Sequence, residues 1–183
     1  MATEVSVMDA DEVRRALTRI AHEIVERNRG AQNLVLVGVL RRGAPLAARL
    51  AALVGRIEDA GTNGAPVAHG DLDIALYRDD YGLRQAPART THLQHEITGK
   101  TVVLVDDVLF TGRSVRAAIT ALLEYGRPAA VQLAVLVDRG GRELPIAADY
   151  VGIPLIVATD LMLALSKTDA GKFVLTTEPW MPR

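Results

Sequence analysis

The stretch Val102-Val103-Leu104-Val105-Asp106-Asp107-Val108-Leu109-Phe110-Thr111-Gly112-Arg113-Ser114 concentrates the chemistry of this chain. An apolar run leads into two acids, and the acids lead into a small turn bearing hydroxyls. Val102 to Val105 read as a parallel strand covered on both faces, and ligands of open α/β sheets bind at the carboxyl edge of such strands. Asp106 and Asp107 are therefore expected at the mouth of a site. From Thr111 onward the period changes, with Val115, Ala118, Ile119 and Leu122 at helical spacing, so a helix starts near Gly112. The first amides of a helix lack partners within it and its dipole favours an anion there, which suits a phosphate. Gly112 permits close approach of the backbone, and Thr111 and Ser114 add hydroxyl donors. Two carboxylates repel phosphate but suit sugar hydroxyls, or a Mg²⁺ ion that bridges to phosphate oxygens. The order of parts describes a holder for a phosphorylated sugar.

Three further segments also sit at strand ends or between strands. Gly38-Val39-Leu40-Arg41-Arg42-Gly43 offers amides and a guanidinium fork to an anion, or else is a solvated basic turn. The connection from Tyr77 to Thr101, carrying Arg78, Asp79, Asp80, Arg84 and Arg89, is longer than compact domains need and reads as a lid or as a charged surface loop. Val137-Asp138-Arg139-Gly140 ends another strand; Asp138 and Arg139 either flank a ligand or form a structural ion pair. A P-loop is excluded. Gly99-Lys100-Thr101 has Gln94 where the first loop glycine belongs, and the lysine leads into a strand instead of a helix.

These segments need a scaffold, and the sequence supplies one. Val13, Leu17, Ile20 and Ile24 stripe a first helix capped by Asp9; Leu34 to Val39 reads as a buried strand; Pro45 starts a second helix through about Val54. Gly61, Gly64 and Pro66 mark a loop, Leu72 to Tyr77 alternates like a strand, and Val131 to Val137 forms another strand after the Gly126-Arg127-Pro128 break. Strands alternating with helices predict an α/β fold with a doubly wound, mostly parallel sheet, in a single domain over residues 1–183. The hydrophobic share of 49% argues against disorder. The absence of cysteine excludes disulfides, thiolate nucleophiles and cysteine-zinc sites, and the expected compartment is a reducing cytoplasm. No signal-peptide or membrane-spanning pattern is present, so no membrane partner is expected. With a formal net charge of -1, nucleic-acid binding has to rest on a local basic patch.

The segment from Val102 to Ser114 closely resembles the phosphoribosyl diphosphate (PRPP) motif of type I phosphoribosyltransferases. Leu17-Thr18-Arg19-Ile20-Ala21-His22-Glu23-Ile24, Asp73-Ile74-Ala75-Leu76-Tyr77-Arg78-Asp79-Asp80 and Leu133-Ala134-Val135-Leu136-Val137-Asp138-Arg139-Gly140 resemble the PyrR family of bifunctional pyrimidine operon regulators and uracil phosphoribosyltransferases. So do Arg142-Glu143-Leu144-Pro145-Ile146 and Ala148-Asp149-Tyr150-Val151-Gly152; the likeness spans roughly residues 9 to 152 and weakens beyond. The resemblance implies transfer of phosphoribosyl from PRPP to uracil, giving UMP and pyrophosphate with Mg²⁺, and control of pyrimidine messenger RNA by uridine nucleotides such as UMP and UTP. It also implies a homodimer or larger homo-oligomer, a small hood formed by the segment after Gly140, and a pyrophosphate loop with a cis peptide near Arg41 and Arg42.

By the same resemblance Asp106, Asp107 and Arg78 are the catalytic residues, with the two aspartates as metal ligands. Val108, Leu109, Phe110, Thr111, Gly112, Arg113, Ser114, Arg41 and Arg42 bind PRPP or nucleotide, and Val137, Asp138 and Arg139 lie beside the base. Thr18, Arg19, His22, Arg27 and Arg142 face the RNA. Arg41 departs from a typical threonine, Gly141 from histidine, Ala147 from arginine, and Ile153-Pro154 from a lysine-asparagine pair. Each of the last three losses removes an RNA contact, and Thr18, Arg19 and His22 also fit a plain solvated helix face. Two further readings stay open: a nucleotide-sensing RNA binder with weak catalysis, and a transferase for a purine without an RNA role.

Overall fold

The computed structural model describes residues 5–59, 63–80, 89–158 and 160–179. In chain order the elements are β1 (Val5–Met8), α1 (Ala10–Asn28), β2 (Leu34–Val39), α2 (Gly43–Ile57), β3 (His69–Leu72), a 3₁₀ turn (Ala75–Tyr77), β4 (Thr101–Leu109), α3 (Arg113–Leu122), β5 (Ala130–Asp138), β6 (Tyr150–Pro154), β7 (Leu161–Lys167) and β8 (Phe173–Pro179). Five strands form a parallel sheet in the order β3-β2-β4-β5-β6, and β1-β8-β7 form a separate antiparallel sheet.

The pleat of the central strands explains the layering. Leu34 and Leu36 of β2 join Val103 and Val105 of β4 in a core with Ile20, Ile24, Leu46 and Leu50 of α1 and α2. Val35, Val37 and Val39 point the other way, where they meet Leu104, Val115, Ala118 and Leu122. Each central strand is apolar on both sides because helices cover both sides. The doubly wound arrangement expected from the sequence is the one observed.

Local chemistry sets the element ends. The Asp9 carboxylate accepts from the amides of Asp11 and Glu12, and the Glu12 carboxylate accepts from the Asp9 amide, closing a capping box worth about 1 kcal/mol. α2 begins two residues before Pro45 and runs on to Ile57, beyond the expected end at Val54. Its first residue, Gly43, lies so near β4 that a Cβ would stand 2.1 Å from the Val105 carbonyl oxygen. Only glycine lets the start of α2 reach the sheet there.

Two expectations are corrected. Leu72 to Tyr77 is no strand: β3 stops at Leu72, and the Asp73 carboxylate accepts the Ala75 amide at 2.9 Å and also the Arg89 amide, which turns the chain into the 3₁₀ turn. The hood is not made by the segment after Gly140, which returns to the main sheet as β6. It is made by β1 and the β7–β8 hairpin, the latter drawn from the divergent tail. Arg84 and Gly61 lie outside the described residues.

Candidate active site

β4 continues through the acid pair and ends at Leu109, so Asp106 and Asp107 lie within the strand instead of after it. Both are nearly buried, at 9% and 8% exposure. The Asp106 carboxylate accepts the Asp107 amide at 2.9 Å, and Asp107 accepts the Val108 amide at 2.9 Å. Burial, and then the neighbouring charge of Asp107, push the Asp106 carboxyl well above the usual aspartate range. Arg42 counters this: its Nη1 lies 3.5 Å from Asp107 Oδ2 and donates to the Leu163 carbonyl of β7 at 3.1 Å. The neighbouring peptide, Leu40–Arg41, is cis, as the resemblance implied, and the Arg41 side chain is exposed.

Where β4 ends a cleft of about 590 Å³ opens, bounded by residues 108–115 on one side and by Arg78, Asp79 and Asp80 on the other; Asp106 and Asp107 precede it within the strand and do not line it, so they are set behind the mouth of the site. Gly112 caps α3 with φ of 91°, and no side chain occupies that cap. A phosphate is the natural partner for the amides left there. Thr111 and Ser114 border the same opening: Thr111 Oγ1 accepts the Arg113 amide at 3.3 Å, and Ser114 Oγ accepts from Arg78 Nη1 at 2.9 Å. Arg78 also grips Asp80 through two bonds of 2.7 and 2.9 Å, and this pairing, ahead of the opposing effect of burial, raises its pKa. The base of the Tyr77–Thr101 connection is thus tied directly to the start of α3.

Arg113 supplies a second tie. Its guanidinium bonds Asp79 and Glu143, each at 2.6 Å, joining that connection to the segment after β5. Its bond holds the Asp79 carboxyl below the usual range. The sequence placed Arg113 in the phosphate motif but gave no sign of these partners, which stand far away along the chain.

Asp138 and Arg139, expected beside the base, do not pair with each other. Burial would lift the Asp138 carboxyl, but Arg142 at 2.6 Å and the Gly140 amide at 3.0 Å outweigh it and hold the carboxyl low. Arg139 is 8% exposed; it donates to the carbonyls of Leu161, Ala158 and Val157 at 3.1, 3.3 and 3.5 Å and lies 4.1 Å from the Phe110 ring centroid. Burial lowers its pKa, and its Nε is buried without a partner. The hood carbonyls that hold it carry no signal in a side-chain pattern. Val137, one step before Asp138, is buried in the core.

The RNA-assigned residues separate into two groups. Thr18, Arg19, His22 and Arg27 lie on α1, and their environments show how far they are committed. Thr18 Oγ1 donates to the Arg14 carbonyl at 2.8 Å, Arg19 pairs Glu23 at 2.7 Å and donates to the carbonyls of Val151 and Gly152, and Arg27 pairs Asp149 at 2.8 Å. His22 is exposed. Arg142 is turned inward, with bonds to Asp138 and to the Ile146, Phe110 and Gly140 carbonyls. It clasps the turn after β5, a set of partners that the sequence does not show.

Among the described residues no three or more of His, Cys, Asp and Glu gather in a metal cage. The acid pair fits Mg²⁺ in another way, because that ion commonly takes one or two carboxylates and completes its shell with substrate phosphate oxygens and water.

A parallel sheet with a hood, and a central strand whose buried acid pair leads into a helix start bordering a cleft, together define a type I phosphoribosyltransferase. Residues 6–162 match the phosphoribosyl transferase domain. The chain is 56% identical over 173 residues to the bifunctional protein PyrR of Chloroflexus aurantiacus, covering 92% of each. It is 50% identical over 182 residues to that of Deinococcus radiodurans, covering 97% of each. The hypoxanthine phosphoribosyltransferase of Trypanosoma cruzi shares the fold, with a TM-score of 0.66 at 22% identity over 93% of this chain and 95% of the other. The chain belongs to the PyrR family of phosphoribosyltransferases.

Proposed function

We propose that this protein transfers the phosphoribosyl group of PRPP to uracil, and that it binds pyrimidine messenger RNA in response to uridine nucleotides. The reading rests on one observation: the start of α3 at Gly112, which has no cap side chain of its own, borders the cleft that opens in the chain just after the buried pair Asp106 and Asp107. The 5′-phosphate sits on the amides and hydroxyls of Thr111 to Ser114, and the ribose hydroxyls turn toward the aspartates. Arg41, Arg42 and Arg78 surround the pyrophosphate. Asp106 and Asp107 would hold Mg²⁺, which when bound would supply charge neutralisation for that leaving group.

As the bond from C1′ to the pyrophosphate oxygen breaks, positive charge builds on the sugar and the bond from uracil N1 to C1′ forms, with the N1 proton passing to the departing pyrophosphate. Asp106 and Asp107 stabilise the sugar, and the arginines stabilise the departing oxygens. No nucleophilic side chain is required. Asp138 and Arg139 border the base end, with Val137 buried in the core behind them, and Thr18, Arg19 and His22 present α1 to RNA. The chain acts as a single domain in a homo-oligomer, in the cytoplasm.

Pyrophosphate release from PRPP, measured with uracil, hypoxanthine, guanine and adenine, tests the enzyme; release with uracil is expected, and release with purines alone would refute the base assignment. Gel-shift titration of a pyrimidine leader transcript, with and without UMP or UTP, tests the RNA role. Absence of a shift at low salt would remove it.

A further inference from the structure

A second cavity, of about 350 Å³, lies away from the cleft, where the first turns of α1 meet α2 and the turn of the β7–β8 hairpin. Arg14, Arg49 and Lys172 line it, with Phe173 among its apolar residues. Its one carboxylate, Asp11, lies 3.3 Å from Arg14 in a pair that is more than half exposed. Arg49 and Lys172 are exposed and have no ion-pair partner among the described residues. Lys167, 5.2 Å from the Phe173 ring centroid, adds a fourth cation beside it. In a chain of net charge -1 this is a local excess of positive charge around an apolar floor.

The contrast with the residues that the sequence assigned to RNA gives the cavity its meaning. Arg19, Arg27 and Arg142 are each paired with a carboxylate. Charge available to neutralise phosphate is therefore reduced on that surface. Along α1, however, Arg14, Thr18 and His22 recur at a spacing of four, so the side of the helix that carries Thr18 and His22 leads directly to the cavity. Single-stranded RNA is held by cations tracking its backbone and by aromatic rings beneath its bases. The cavity offers both.

We propose that Arg14, Arg49 and Lys172 form a phosphate-binding extension of the α1 surface that takes the backbone of the bound RNA beyond Thr18 and His22. This rests on the RNA reading above but concerns a different place. The shared chemistry is phosphate, and a free nucleotide is the other source that could present it.

The test uses the full chain with Arg49→Glu and Lys172→Glu combined, and Arg49→Gln with Lys172→Gln as a milder pair. Gel-shift titration of the pyrimidine leader transcript is run across a salt series, alongside pyrophosphate release and UMP binding by calorimetry. The reversal pair is expected to weaken RNA binding at least tenfold at low salt and to flatten the slope of log Kd against log salt by about 1.4, the release of two phosphate contacts. The milder pair is expected to flatten the slope by a similar amount, with pyrophosphate release unchanged in both. If wild type binds RNA and the variants bind with the same affinity and slope, this site is refuted while the RNA role stands. If UMP binding weakens and RNA binding does not, the cavity takes a free nucleotide and the proposal is refuted. If wild type shows no RNA binding, the parent reading fails and this one with it.

Discussion

A Cβ on Gly141 would stand 2.5 Å from Cε2 of Phe110. The ring therefore fills the space in which a side chain at 141 would begin, while Arg139 lies against it at 4.1 Å from the ring centroid. Gly141 also holds φ at 71°, in the left-handed region.

Gly141→Ala is accordingly expected to lose about 1–2 kcal/mol of stability from the backbone alone. Because Phe110 borders the cleft, its displacement should also raise the KM for uracil severalfold. Urea denaturation and steady-state kinetics on the same preparation check both effects; an unchanged midpoint would show that this turn relaxes freely.

Asp106→Asn should cost activity and gain stability. The Asp106 carboxyl titrates above the ordinary aspartate value, so the folded protein binds more protons than the unfolded chain between those two values. Stability therefore falls as pH rises through that window and stays reduced above it. The amide removes this loss: the variant should denature at a higher temperature than wild type at neutral pH, and the difference should shrink as pH is lowered through the window. Thermal denaturation across pH measures it, and an equal deficit at all pH values would contradict it.

Asp107→Asn should lower turnover by about 100-fold with the fold intact, the usual scale for losing one charge-stabilising group. Steady-state rates near wild type would remove Asp107 from the reaction.

Arg113→Gln cuts the ties to Asp79 and Glu143 without touching the amides of the helix start. The KM for PRPP should rise several-fold while turnover changes less. The Asp79 carboxyl, released from its cation, should titrate upward toward its ordinary value, which carbon-detected NMR would read.

Arg139→Ala withdraws the donors that hold the carbonyls of Leu161, Ala158 and Val157. A loss of about 3 kcal/mol is expected from unpaired acceptors and lost packing. Amide exchange should accelerate in β7 ahead of the parallel sheet, and uniform acceleration would argue for a general core role instead.

Much of the scaffold was legible because it depends on local patterns. Leu34–Val39 was bounded to the residue, Asp9 was recognised as a cap, and the start of α3 near Gly112 followed from the change of period. The alternation of Leu72 to Tyr77 misled because it contains no hint that Asp73 would bond its own backbone neighbourhood and end the strand. The clasp that Arg142 makes was not legible, because its acceptors are mainly backbone carbonyls, invisible in side-chain identity. The hood escaped because its pairing, such as Val5 with Thr177, joins segments from opposite ends of the fold.

That last pairing also constrains how the protein is made. β7 begins only seven residues after the parallel sheet is completed by β6, yet during synthesis Arg139 and Arg42 still precede the carbonyls of Leu161 and Leu163 that later receive them. A chain stopped after β6 would leave both guanidinium groups without these acceptors and uncover the apolar side of α1 that Leu163 and Leu175 otherwise seal.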